Sequence, residues 1–483
     1  MSIPTDAPGV AMAAQPPGAR HDGALRRAAR GPAVALIALL VMIMLVPIRT
    51  YAIPVPLPFQ LEPYRLLIAL LIVAAVFAAL ANPRMRIRPV AFGVPFGFFV
   101  GTLALSMVAN IVPLAQQGLV GTAFGGLVNL LFILSVFFLV RQFLSSERLV
   151  MTTLSFLAWS GTLVAFFAIV ERATRVNVFL MLGEVLPLET LRSIADDYRA
   201  GGARSFGSAQ HPIALSVMLC MLIPIVLYLA REAGWPRNRV TRALVHGGML
   251  VVLFGGIGVA VSRTGVVVLA AMLAVTLLLR PVIGVSILLA GVPALLLASL
   301  ASPKTVSSTV LSFLDVDSLV ASQYTSPGWA GQGRLADLGP AFQLVAQHPL
   351  LGTGYGGRIV VGEDANGFIL DNQVLGILMD SGVIGVIGLA VFVLVPFLLL
   401  LRHALDPAVP ARYRSLAFAL AVSTAGYAAA MFFYDAFGFM QTLLVLCVLW
   451  AVGAWVLTEA PGARRLRAPS PEPAPADVAE AAP

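Results

Sequence analysis

Twelve apolar runs follow one another along this chain, and they leave little room for any other architecture. They fall at about 33 to 48, 66 to 81, 90 to 109, 119 to 140, 150 to 170, 212 to 230, 244 to 261, 264 to 279, 281 to 300, 374 to 401, 415 to 433 and 437 to 457. A helix crosses a hydrocarbon core of about 30 Å with about 20 apolar residues. The runs therefore predict an all-α polytopic membrane protein of about twelve transmembrane helices. The weakest division lies at Ser262-Arg263-Thr264, inside an apolar stretch from Gly247 to Leu279. A single helix there would be about 50 Å long, so a hairpin with Arg263 near its apex is expected. Only 11% of the 483 residues are charged and 59% are hydrophobic, whereas roughly a quarter of a soluble domain is charged. A soluble enzyme is excluded.

Charge placement gives the topology independently. With the first residues in the cytoplasm, Arg84, Arg86, Arg88, Arg141, Arg148, Arg231, Arg237, Arg239, Arg242, Arg280, Arg402, Arg412 and Arg414 all fall on cytoplasmic connections. The short outer turns keep only Arg49, Arg65 and Arg263. This is the asymmetry that the positive-inside rule demands, with both termini cytoplasmic. Residues 1–30, rich in Pro, Gly and Ala with four Arg, read as a disordered cytoplasmic lead. They do not read as a signal peptide, because the first apolar run comes late and runs long. Residues 31–459 form the membrane domain, and 460–483, rich in Pro, Ala and acids, read as a disordered cytoplasmic tail.

The net charge of +8 does not point to nucleic acid, because the arginines are scattered between apolar runs and Lys304 is the only lysine. Cys220 and Cys447 each sit inside an apolar run, so neither a disulfide nor a metal cluster is expected. The sequence predicts no metal and no cofactor, and leaves the oligomeric state open. Two segments, at about 171–211 and 301–369, are longer than the other connections and both face outward in this topology. The second is a large extracytoplasmic loop between spans 9 and 10. Long ordered loops on one side of a scaffold usually carry function, which predicts an outward-facing site. No internal repeat is visible, and charges are almost absent from span centres, which weighs against a secondary transporter.

Arg204 begins the string RSFGSAQHP, which leads through His211 into a helix opening at Pro212. Proline suits the first helical turn, and an arginine beside unpaired helix amides suits phosphate. The competing reading is an interfacial anchor that snorkels. Arg263 likewise precedes a helix, on an outer turn where solubility needs no charge, and the same two readings apply. In the second long segment Arg334 opens an amphipathic stretch and QHPLLGTGYGG follows. Arg358 comes next, and Asp371-Asn372 stand at the start of the tenth span. Asp371 is placed to accept a proton from a hydroxyl nucleophile or to cap the helix with Asn372. His348, next to Pro349, is a base or a helix C-terminal cap. Glycines at 247, 248, 255, 256 and 258 suggest close helix packing.

Taken together, these strings resemble the O-antigen ligase and polymerase family, bacterial membrane glycosyltransferases that act on lipid-linked glycans. The resemblance is carried by RSFGSAQHP at Arg204, by SRTG at Ser262 to Gly265, and by GRLADLGPAFQLVAQHPLLGTGYGG from Gly333 to Gly357. It continues through DNQVLGILMDSGVIGVIGL, Asp371 to Leu389. It implies a polyprenyl-diphosphate-linked glycan donor, a glycan or glycolipid acceptor, and metal-independent transfer at the outer face of the bacterial cytoplasmic membrane. Arg204 and Arg263 would hold the diphosphate, while His211, Arg334, His348, Arg358 and Asn372 would contact substrate. Ligases acting on lipid A-core carry a functional histidine late in the large outer loop, where this chain reads Asp371-Asn372. Asp371 then takes the proton, or His348 does, or the leaving group needs no base. Polymerase and ligase both remain open, and a transporter of glycan or lipid substrates is the reading from another class.

Overall fold

The computed structural model describes residues 17–56, 60–82, 87–191, 198–199, 202–289, 291, 334–358 and 371–461. The helices among these are α1 (Pro17–Leu45), α2 (Pro63–Ala81), α3 (Gly93–Ala109), α4 (Ile111–Gln116), α5 (Val120–Phe143) and α6 (Glu147–Thr174). They continue as α7 (Leu182–Val185), α8 (Pro212–Glu232), α9 (Arg239–Ala260), α10 (Arg263–Leu279) and α11 (281–289). The last four are α12 (Arg334–Gln347), α13 (Gln373–Leu405), α14 (Ala411–Ala430) and α15 (Met440–Thr458). The described strands are two-residue pieces, Tyr51–Ala52 against Glu189–Thr190 and Tyr198–Arg199 against Gly202–Ala203, both antiparallel.

Among the described residues seven helices, α2, α5, α6, α8, α9, α13 and α15, are long and apolar enough to cross a membrane. Gly31–Leu45, Gly93–Ala109 and Arg263–Leu279 are shorter apolar helices. The protein is thus an all-α membrane protein. α1 starts at Pro17, so helical backbone reaches into the lead expected to lack structure; Ala and Arg, which make up eight of residues 17–30, are strong helix formers. The tail from 462 onward, and most of the large loop, lie outside the described residues.

Helices apolar on every side have to be surrounded, and α8 and α15 are. Their apolar windows are 89% and 94% buried, against 11% for α2. α8 packs on α6, α9, α10 and α14, and α15 on α5 and α14, while α13 lies against α3 and α14. On peripheral α2, Phe77 and Leu80 stay exposed, as lipid-facing side chains do. In lipid, helices associate through close van der Waals contact at small residues. At Gly256 an added Cβ would stand 2.7 Å from Ala165 Cβ and 2.8 Å from Leu219 Cδ1, and at Gly265 3.0 Å from Ser216 Cβ. The expected packing role thus falls on Gly255 and Gly256, since Gly247, Gly248 and Gly258 face open space.

The expected hairpin at Arg263 is present. α9 ends at Ala260, Val261 adopts a left-handed φ of 45°, and α10 begins at Arg263. Ladders of contacts then sort the helix ends into two groups. At one end Arg141, fully buried, donates to Pro89 O, Thr458 Oγ1 and Glu459 Oε1, the last at 2.7 Å. There too Arg412 pairs with Glu147 and Glu232. The opposite end gathers the C-terminal ends of α1, α6, α9 and α14 with the N-terminal ends of α8, α10, α13 and α15.

α13 spans 33 residues, yet Gly382 inside it has φ 63° and ψ −164°, so the helix is broken. The break frees carbonyls before it and amides after it, which must be paired away from water. The QHPLLGTGYGG run supplies the partners. Thr353 N and Gly354 N donate to Met379 O and Asp380 O, while Val383 N and Ile384 N donate to Pro349 O and Leu350 O, at 2.9 to 3.2 Å. Ser106 Oγ of α3 adds bonds to Leu351 O and Asp380 O. The backbones approach so closely that a Cβ on Gly352 or Gly382 would overlap the facing main chain.

Candidate active site

The RSFGSAQHP string folds as a buried, fixed loop. Glu171, buried in the last turn of α6, accepts from Phe206 N at 3.3 Å and Gly207 N at 2.9 Å. Gly207 takes a φ of +57° with Val164 against its α-carbon face, and Asn177 Nδ2 donates to its carbonyl. Ser208 Oγ donates to Met44 O at the end of α1. The loop then reaches the α9–α10 turn. Ser205 N donates to Val259 O, and Arg204 Nε donates to Ala260 O at 3.0 Å. Arg204, 5% exposed, therefore lies three residues in sequence from Arg263 through one hydrogen bond, although 59 positions separate the two arginines in the chain. Arg263 is half-buried at the first turn of α10.

Several features of this junction have a cost. Val261 is β-branched in left-handed backbone, a strain of roughly 1–3 kcal/mol that tends to persist at functional sites. Among the described residues, the buried Ser205 and Ser262 hydroxyls and the Gln210 side-chain carbonyl oxygen lack a hydrogen-bond partner. Each such group costs about 1–3 kcal/mol unless something polar meets it.

His211 caps α8, its Nδ1 accepting from Ile213 N at 3.2 Å, and its ring lies 5.4 Å from that of Phe439. Phe439 in turn stacks on Tyr434 at 5.7 Å. This aromatic bridge ties the Arg204 loop to the turn between α14 and α15. The start of α13 is tied to the same turn, because Gln373 N donates to Met431 O and Tyr434 O and its Oε1 accepts from Phe437 N. Asp371 and Asn372 immediately precede it. Asn372 Oδ1 accepts from Leu375 N at 3.0 Å, so this side chain caps α13. Asp371 is half-buried.

Arg358 forms a two-pronged ion pair with Asp380, Nε to Oδ1 at 2.9 Å and Nη2 to Oδ2 at 3.2 Å. The adjacent Asp380 carboxylate raises the affinity of the guanidinium for its proton, against the opposing effect of burial. Asp435, in the α14–α15 turn, completes this group. Its Oδ1 accepts from Gly438 N at 3.0 Å. Burial pushes its carboxyl above the usual range; the Gly438 amide and Arg358 oppose this, and Asp371 reinforces it. The Tyr355 phenol beside it is pushed up by burial, then by Asp380 and Asp435.

One end of the bundle thus collects Arg204, Arg263, His211, Asp371, Asn372 and Arg358. His348 is exposed and lines an open hollow with Asn110 and Gly352. Arg334 opens α12, its side chain lying outside the described residues. Asp435, Asp380 and Glu171 were missed by sequence reasoning. Asp380 alone left a signal, an acid inside an otherwise apolar run. Among the described residues no three His, Cys, Asp or Glu side chains group as metal ligands would. No family model matches the chain, and no curated protein matches it.

Proposed function

We propose that the protein is a membrane glycosyltransferase of the O-antigen ligase or polymerase type. It crosses the bacterial cytoplasmic membrane about twelve times, with the Arg204 end facing outward. It transfers a glycan from a polyprenyl-diphosphate donor to a sugar hydroxyl. The observation that carries this reading is the turn before Arg263, where Arg204 from a separate segment donates to Ala260 O three positions ahead of Arg263, beside buried Ser205 and Ser262 hydroxyls that lack partners among the described residues. Guanidiniums hold the oxygens of a diphosphate in two-pronged fashion, and the helix N-termini at Pro212 and Arg263 add positive potential. Both offset the charge that develops as the anomeric carbon–oxygen bond breaks and the diphosphate leaves with its electron pair. No metal is needed for that charge offset in the chemistry the resemblance implies. The acceptor hydroxyl oxygen bonds to the anomeric carbon, and its proton passes to a carboxylate. Asp371 is the candidate from the sequence, and Asp435, beside it electrostatically and raised by burial, is a second.

Replacing Arg204 or Arg263 by Ala should abolish glycan transfer by purified protein supplied with lipid-linked donor and acceptor. Full transfer by both variants refutes the reading. One observation favours a glycan or lipid transporter instead: a broken helix such as α13 recurs in secondary transporters. Here the freed backbone groups are closed by the 349–354 run rather than left to coordinate cargo. Appearance of a new glycosidic product separates the two.

A further inference from the structure

The end of the bundle opposite Arg204 contains a hollow of about 300 Å³ lined by Arg280, Ala404, Leu405, Ala411, Arg414 and Ser415. Three helices make it: the end of α10, the end of α13 and the first turn of α14. Arg280 is held rigidly on its rim. Its guanidinium lies 4.3 Å from the centre of the Phe418 ring, and Nη2 donates to Ala404 O at 3.3 Å. Burial lowers its affinity for a proton, and Arg414 and Arg231 lower it further. Arg280 and Arg414 thus both line the one hollow. Elsewhere at this end arginines meet acids, as Arg141 does Glu459 and Arg412 does Glu147. Holding like charges together in a half-buried hollow is unfavourable unless an anion joins them.

The surroundings say what kind of anion. Leu278 and Val282, two residues either side of Arg280, are 82% and 80% exposed, and Leu405 on the wall is 50% exposed. Exposed apolar side chains therefore flank the cationic hollow at Arg280 and on its Leu405 wall. Ser415 adds a hydroxyl donor, and Ala411 at the start of α14 lines the same space. A water takes about 30 Å³ of liquid volume, so the hollow has room for a phosphodiester with its glycerol. We propose that this hollow binds the phosphate of an anionic phospholipid, with Arg280 and Arg414 on the phosphate oxygens and an acyl chain along Leu278 and Val282. The assignment does not depend on the enzymatic reading.

The test uses the full-length protein in a neutral detergent, titrated with phosphatidylglycerol and followed by native mass spectrometry. One lipid should be retained in preference to further copies and to phosphatidylcholine. R280Q/R414Q should weaken that binding about 30-fold, from about 1 kcal/mol per arginine near an anionic headgroup. R239Q, which removes an exposed arginine of the same end outside the hollow, should leave it unchanged. Circular dichroism and the midpoint of thermal unfolding check that the variants fold, and R414Q alone replaces the double variant if that one does not. Equal retention by wild type and R280Q/R414Q, or equal weakening by R239Q, overturns the proposal. Complete displacement of the lipid by millimolar inorganic phosphate overturns it too, by making the hollow a free-anion site.

Discussion

Glu171→Gln tests how the Arg204 loop is held. The two carboxylate oxygens each accept a main-chain amide, from Phe206 and Gly207, and the carboxylate is buried with them. A glutamine keeps one acceptor but turns an NH2 group toward the second amide, so one charge-assisted bond is lost and a donor faces a donor. Hydrogen bonds to charged groups contribute about 1.5–3 kcal/mol. That loss raises the opening equilibrium of the loop about 10- to 150-fold, at about 1.4 kcal/mol for each factor of ten. Amide hydrogen exchange of the 204–211 segment reads this directly, as faster exchange at Phe206 and Gly207 by the same factor. Exchange in the α9–α10 turn should rise with it, because Ser205 N and Arg204 Nε are bonded there. Unchanged exchange at Phe206 and Gly207 in a folded variant would refute the argument that Glu171 fixes the loop.

Two further predictions concern stability. Gly256→Leu should destabilise the bundle by at least about 1–3 kcal/mol through overpacking against Ala165 and Leu219, whereas Gly258→Leu, facing open space, should be near neutral in thermal unfolding in detergent. Glu459→Ala leaves the fully buried Arg141 without its carboxylate and should cost about 3–5 kcal/mol; because this pair lies at the far end, the folded fraction should keep its specific transfer activity.

The helices were legible because hydrophobic length is a strong signal, and the Arg263 turn because one helix from Gly247 to Leu279 would be too long for a bilayer. The same length logic was silent on α13. Its break at Gly382 lies in an apolar run, and what stabilises it is a segment about thirty residues upstream. Arg204 and Arg263 could be named from local context, a cation ahead of a helix start. The bond from Arg204 to Ala260, three positions ahead of Arg263, could not, since it depends on Glu171 and Gly207 bending the loop. Asp435 was hidden for a different reason. It is a lone acid in a turn of a few residues between two spans, and nothing local marks it. Only the folding of Gln373 and Phe439 onto that turn gives it Asp371 and Arg358 for neighbours.

The stitch between Pro349–Gly354 and the α13 break also sets which sequence changes the protein can absorb. Four main-chain bonds pair the two segments residue by residue, so inserting one residue within either of them displaces every pairing at once. The connecting residues 359–370 carry none of those four pairings, and lengthening a connection between two fixed points adds only about 0.6 kcal/mol per doubling. Variation between related chains should therefore concentrate in that connection, leaving Arg358 on one side and Asp371 on the other in unchanged register.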